Sequence, residues 1–217
     1  MGTLIGRPPA YPLVLASASP RRQDILRLLG LPFVVETSDV DESTLEDEPA
    51  EALAQRLAAA KAVAVARRVT PRYIIGADTV VVHGAKVLGK PVDATDATRM
   101  LRDLRGREHA VISGVAVVDR VAGRTTAGSL RTRVSMRDYA DDEITRYVAA
   151  GEPFDKAGGY AIQDPDFRPV ASIEGCYLNV VGLPLCLLLY LLWEAGLAVS
   201  PPPPAVVFPH CPNCVLV

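Results

Sequence analysis

The chain has 217 residues, 49% of them hydrophobic, which suffices for one sizeable domain or two small lobes around a buried core. Lys and Arg number 23 against 25 Asp and Glu, so the basic excess needed to bind a nucleic acid polymer is absent and any phosphate recognition must be local. The longest apolar run, 183–193, contains Pro184 and is too short for a bilayer core of about 30 Å, so no membrane span is expected.

From Met1 to Pro12 no long apolar segment ends in small residues, and a cytoplasmic protein is the expectation. The first predicted strand, Pro12 to Ala16, runs into Ser17-Ala18-Ser19-Pro20-Arg21-Arg22, where Ser19 can cap a helix and Pro20 suits its first position. Ile25, Leu26, Leu28 and Leu29 form the apolar face of that helix, which should end at Gly30, and a strand over Phe33 to Val35 follows. Asp39 to Glu48 is acidic and without periodicity. Pro49 then opens an Ala-rich helix reaching about Arg68, with Leu53, Leu57, Ala60 and Ala64 on one face and Lys61 inside it.

Tyr73 to Ala77 reads as a buried strand, interrupted by Asp78 and continued from Thr79 to Val82 into a hairpin with Val87-Leu88. A third helix spans Asp93 to Leu104, Ala110 to Val118 pairs with about Thr125 to Ser135, and a fourth helix covers Asp141 to Ala150. Gly151 to Gly159 is a Gly-rich loop. Short strands are predicted at Tyr160 to Ile162 and Val170 to Ile173, with a last helix from Pro184 and an end to regular structure at the prolines from Pro201. Cys176, Cys186, Cys211 and Cys214 are too sparse for a disulfide framework. Cys211 and Cys214 have the spacing of half a zinc site, with only His210 nearby, and a loose tail is the expectation there. Mixed strands, helices, hairpins and crossovers indicate an α/β or α+β sheet protein without internal repeats.

Several residues can carry chemistry. The Ser17–Arg22 segment joins a strand end to a helix start, where free N–H groups and the helix dipole attract phosphate and two arginines can fork onto its oxygens; a plain capped helix is the alternative. Asp78, a lone carboxylate at the end of an apolar strand, needs a partner, a cap or a metal. Glu42 can add an oxygen ligand for Mg²⁺ or Mn²⁺, while Lys61 and Lys90 can neutralise triphosphate charge or be simple surface lysines. Asp155 and Lys156 form an ion-pair candidate, and the amide of Gln163 can both donate to and accept from a base edge.

Taken together, 15–22, 76–82, 89–93, 151–163 and 179–185 resemble, in order and spacing, the motifs of the Maf-like nucleotide pyrophosphatases. The resemblance spans roughly 12–195 and implies a domain over 12–196, with an extension over 1–11 and a Pro-rich tail over 197–217. It further implies an elongated mixed-sheet α/β fold of the Maf/ITPase-like kind, with two lobes and a central cleft. Its activity would be metal-dependent attack of water at the α-phosphorus of a nucleoside triphosphate, giving monophosphate and pyrophosphate. By match to the motifs, Asp78 would accept the proton and share the metal with Glu42, and Ser17, Arg22, Lys61 and Lys90 would line the phosphate end, with Asp155 and Lys156 in support. Arg21, Thr79 and Gln163 match the branch associated with dTTP and UTP; the branch associated with 7-methyl-GTP has Trp, Gln and Glu there. The segment 164–169 departs from the family pattern. The resemblance also allows a homodimer, and it leaves open a broader role on modified nucleotides or the division-regulating role behind the older name septum formation inhibitor.

Overall fold

The computed structural model describes residues 13–202, so His210, Cys211 and Cys214 lie outside the described residues. In chain order the elements are β1 (Leu13–Leu15), α1 (Pro20–Arg27), β2 (Phe33–Val35), α2 (Ala50–Ala66), β3 (Tyr73–His83), β4 (Lys86–Leu88) and α3 (Ala94–Leu104). They continue with β5 (Glu108–Asp119), β6 (Arg124–Met136), α4 (Asp141–Ala149), β7 (Val170–Glu174), α5 (Tyr177–Val181) and α6 (Leu185–Glu194). The strands form one mixed sheet in the order β2-β1-β3-β5-β6-β7, with β4 also on β3. β1, β2 and β3 are parallel; β3, β5, β6 and β7 run antiparallel to their neighbours.

Alternation along the central strands divides the interior. Tyr73, Ile75 and Ala77 of β3, with Val115 and Val117 of β5, pack with α1 and α6 into one core. Further along the same sheet face, Val81, Val111, Val134 and Met136 pack with α3 and α4 into a second. These cores are the two lobes. The opposite face carries α2 against Ile74, Val80, Ile112 and Ala116.

The Ala-rich composition of α2 follows from how closely it approaches the sheet. A Cβ on Gly76 would sit 2.1 Å from the carbonyl oxygen of Ala58, and one on Gly114 the same distance from that of Ala54. Only glycine below and alanine above allow this contact. Lys61 lies about one turn beyond Ala58, and the tight approach sets it over Asp78, which is paired with Gly114 across β3 and β5.

The structure corrects three local expectations. Asp78 does not interrupt the strand, because β3 runs unbroken through it. Ser19 makes no side-chain cap; its own N–H instead donates to Ser17 Oγ at 3.3 Å. Tyr160 to Ile162 is not a strand, since the Ala161 N–H is taken by the hydroxyl of Tyr147 at 3.1 Å. The last helix does start at Pro184, the N-cap of α6, and a short helix not expected from the sequence, α5, precedes it across Gly182 with φ 126°.

Candidate functional site

A cleft of about 980 Å³ opens where the sheet is incomplete. β1 pairs with β3 as far as Ile75, and β4 begins pairing at Val81, so the edge of β3 between them is left to the cleft. Ligands of open α/β sheets commonly sit at such a place, beyond the carboxyl ends of parallel strands. The cleft is lined from β1 and α1 by Ser17, Arg21 and Arg22, from α2 by Lys61 and from β3 by Asp78 and Thr79. Glu42, Lys90, Asp155, Lys156 and Gln163 complete the set singled out in the sequence, so every one of those residues borders the same cavity.

At its floor, Lys61 Nζ lies 2.6 Å from Asp78 Oδ1 and 2.6 Å from Glu42 Oε1. Those two carboxylate oxygens are therefore no further apart than twice that distance. Lys61 and Asp78 are 9% and 7% exposed, and a pair so enclosed is tolerated only because each charge has its partner. Burial alone would raise the Glu42 carboxyl, but the hydrogen bond and charge of Lys61, with the charges of Lys90 and Arg22, hold it below its ordinary value. The acidic segment is not free in solvent. Arg56 on α2 clamps Glu48 through two bonds of 2.6 and 2.7 Å and donates to the Ser43 carbonyl at 2.9 Å, which fixes Glu42 over Lys61.

Arg22 crosses the opposite wall. Its Nε donates to Gly182 O at 2.9 Å, Nη1 to Ser17 Oγ at 3.1 Å and Ala77 O at 2.8 Å, and Nη2 to Thr79 Oγ1 at 3.2 Å. Four of its five N–H groups are thus engaged within the protein, and one remains for a ligand. Burial lowers the Arg22 pKa, with the charge of Asp78 opposing the shift. Ser17 Oγ accepts from both Arg22 and the Ser19 N–H, so its own hydrogen is left to donate. Lys90 is exposed and makes no hydrogen bond among the described residues. Ser17, Arg22 and Lys90 thus offer one hydroxyl hydrogen, one guanidinium N–H and an ammonium group, donors that suit an anion with many acceptor oxygens.

Arg21 and Lys156 are placed differently from a simple phosphate clamp. Arg21 reaches over the cleft to the short 3₁₀ turn Glu152–Asp155, donating to Asp155 Oδ2 at 2.7 Å and Asp155 O at 3.2 Å. Lys156 is held by Glu152 and by Asp155 Oδ1 at 2.7 Å, so both side chains brace this loop at the cleft. Burial would raise the Asp155 carboxyl, but Lys156 and Arg21 together bring it below normal.

Gln163 is exposed at the rim, and the departing segment beside it forms a compact anchor. Asp164 Oδ1 accepts from the N–H groups of Asp166 and Phe167 at 3.1 and 2.7 Å, and the Phe167 ring stacks on Tyr147 at 4.4 Å between centroids. Three residues that the sequence reading did not single out for a role also shape the site: Arg56, Ser113 and Asn179. Asn179 was visible only as the first residue of a motif, and Arg56 only as one more charge on a helix.

The family model described as Maf-like protein matches residues 12–195. The chain belongs to the Maf-like family. Among curated Maf-like relatives, the dTTP/UTP pyrophosphatase of Thermomicrobium roseum is 50% identical over 205 residues, covering 94% of this chain and 93% of the relative. Those of Syntrophotalea carbinolica and Moorella thermoacetica, with the same name, are each 51% identical over 80% of this chain and cover 80% and 89% of themselves. The mixed α/β sheet with helices on both faces and a cleft between two lobes agrees with the fold expected from the Maf-like motifs. No helix among the described residues is long and apolar enough to cross a membrane.

Proposed function

We propose that this Maf-like protein hydrolyses nucleoside triphosphates, dTTP and UTP among them, to the monophosphate and pyrophosphate. The observation that carries the reading is the buried Lys61–Asp78 pair, capped by Glu42, facing free donors on Ser17, Arg22 and Lys90. An anion of several phosphates fits those donors, and Asp78 supplies the one thing they lack, a base. Asp78 Oδ1 is held by Lys61, while Oδ2 makes no hydrogen bond among the described residues and is left to take a proton from water.

Glu42 and Asp78 are the residues that would hold Mg²⁺ or Mn²⁺. Among the described residues no group of three or more His, Cys, Asp or Glu is assembled for a metal. Two carboxylates are the donor set expected when the ion shares its remaining positions with substrate phosphates and waters. When bound, the ion neutralises phosphate charge and polarises the phosphoryl oxygens. The protein's own residues do the rest. Ser17 and Arg22 each offer one hydrogen to the phosphate chain, Lys90 and Lys61 add charge where charge develops, and Asp78 orients and deprotonates the water that attacks the α-phosphorus.

Gln163, at the rim, can read the adjacent imide N–H and carbonyl of uracil or thymine because it both donates and accepts. The names of the relatives support dTTP and UTP as substrates. A panel of UTP, dTTP, CTP and 7-methyl-GTP with Mg²⁺ or Mn²⁺, assayed separately for pyrophosphate and orthophosphate, tests the reading. Pyrophosphate from UTP and dTTP in preference to 7-methyl-GTP is expected. Absence of pyrophosphate release from all four contradicts it.

A further inference from the structure

Between the two lobe cores, on the sheet face away from α2, one row of side chains is polar. Thr79 of β3 pairs with Ser113 of β5, and Thr132 of β6 continues the row two residues beyond the Ser113 partner Leu130. Asn179 of α5 lies over it. Ser113, Thr132 and Asn179 are all 0% exposed, so each polar atom there must be satisfied internally.

The shorter contacts in this row select one arrangement of its hydrogens. Ser113 Oγ lies 3.0 Å from the carbonyl oxygen of Asn179, which can only accept, so the single hydroxyl hydrogen of Ser113 goes there. In the 2.8 Å contact between Thr79 Oγ1 and Ser113 Oγ, Thr79 is therefore the donor. Its oxygen is left to accept, and Arg22 Nη2 donates to it at 3.2 Å. Asn179 is fixed in turn: Oδ1 accepts from the Ser113 N–H at 3.2 Å, and Nδ2 donates to Val111 O at 3.0 Å and Thr132 Oγ1 at 2.9 Å. The chain of bonds runs from Asn179 through Ser113, Thr79 and Arg22 to Ser17.

We infer that Thr79, Ser113 and Asn179 form a positioning relay that aims Arg22 and Ser17 at the phosphate chain, and that Thr79 affects turnover through Arg22 instead of reading the base. Thr79 has no hydrogen to offer a nucleobase, because Ser113 takes it. Gly182 O, 3.5 Å from Thr79 Oγ1, receives the shorter bond of Arg22 Nε at 2.9 Å. Without Ser113 Oγ the Thr79 hydrogen turns toward Gly182 O and competes with Arg22 there. The kinetic part of this inference rests on the triphosphate hydrolysis proposed above; the geometric part does not.

The test compares Thr79→Val, Ser113→Ala, the double variant and Thr79→Ser. It measures kcat and KM on UTP, dTTP and CTP per folded protein, the melting temperature, and calorimetric affinity for inorganic tripolyphosphate. Thr79→Val should lower kcat/KM by roughly tenfold on all three nucleotides, the loss expected for one hydrogen bond to a charged group, with the ratios between bases unchanged. Ser113→Ala should fall in the same direction, the double variant no further than Thr79→Val, and Thr79→Ser should stay near wild type. A change in base preference with Thr79→Val, independent losses that multiply in the double variant, or lowered melting with unchanged kinetics overturns the relay. If the wild-type protein hydrolyses none of the nucleotides, the functional reading fails and the tripolyphosphate arm decides the relay by itself. Equal, non-additive weakening of tripolyphosphate binding supports it, and unchanged binding overturns it.

Discussion

Two polar centres lie on opposite faces of the same pair of strands, one residue apart on β3. On the α2 face, Asp78 meets Lys61 and Glu42 in a charged cluster with a carboxylate oxygen, an exposed neighbouring lysine and an open cleft still uncommitted. On the other face, Thr79 meets Ser113 and Asn179 in a neutral row that ends on the Arg22 guanidinium, and almost every donor and acceptor there is already engaged. On the function proposed above, the difference separates what reacts from what holds. A group poised for chemistry must keep unmet capacity, whereas a buried scaffold that does so is penalised by about 1–3 kcal/mol per unsatisfied group.

The sharpest way to break this contrast is Asp78→Asn. The amide is nearly isosteric and Glu42 still pairs with Lys61, so the fold should persist while turnover drops by roughly 10²–10⁴, the usual scale of general-base catalysis. Normal turnover in a folded Asp78→Asn protein would place the reactive centre elsewhere.

Lys61→Met sharpens the charged side. Without the ammonium, the Glu42 and Asp78 carboxylates face one another with no cation between them, and one of them holds its proton to higher pH. Partial desolvation would raise the half-exposed Glu42 carboxyl, but Lys61 holds it lower, so the stability it contributes is fully present above its unfolded value of about 4.3 and is lost as the pH falls through the lower folded value. In Lys61→Met that loss should begin at higher pH, and the acid limb of the kcat/KM profile should move upward with it. An acid limb in the same place would show that Lys61 does not govern the carboxylates.

Gly76→Ala tests whether the close approach of α2 creates the site. The added methyl group meets the Ala58 carbonyl, which can relieve the clash only by moving the helix that carries Lys61. Destabilisation of about 3 kcal/mol, read by denaturant titration, should accompany a loss of turnover per folded protein. Wild-type turnover at reduced stability would separate packing from the site. The smallest effect is expected for Lys90→Ala, which removes an exposed charge: a rise in KM of several-fold with little change in kcat, and less at high salt.

Much of this arrangement was legible in the sequence because it is local. The helix start at Pro20, the hairpin of β5 and β6 and the isolated carboxylate in an apolar strand can each be read from a few neighbouring residues. Asp78 was read as ending a strand because its partner, Lys61, lies 17 residues away on another element; with that charge supplied, the strand continues. From the sequence Arg22 can fork onto phosphate or be solvated, but most of its acceptors are oxygens contributed from positions 55 to 160 residues distant. Tyr160 to Ile162 has the composition of a strand, yet a tyrosine hydroxyl from α4 captures its backbone. The row of Thr79, Ser113 and Asn179 left no local mark, since small polar residues in strands and a short helix acquire their meaning only from register.

The measurement that tests the account most directly is hydrolysis of UTP by the wild-type protein in ¹⁸O-enriched water, with the products separated and weighed by mass spectrometry. Water activated by Asp78 and delivered to the α-phosphorus puts the label in UMP and leaves pyrophosphate unlabelled. Label in pyrophosphate, or release of orthophosphate in its place, would contradict it.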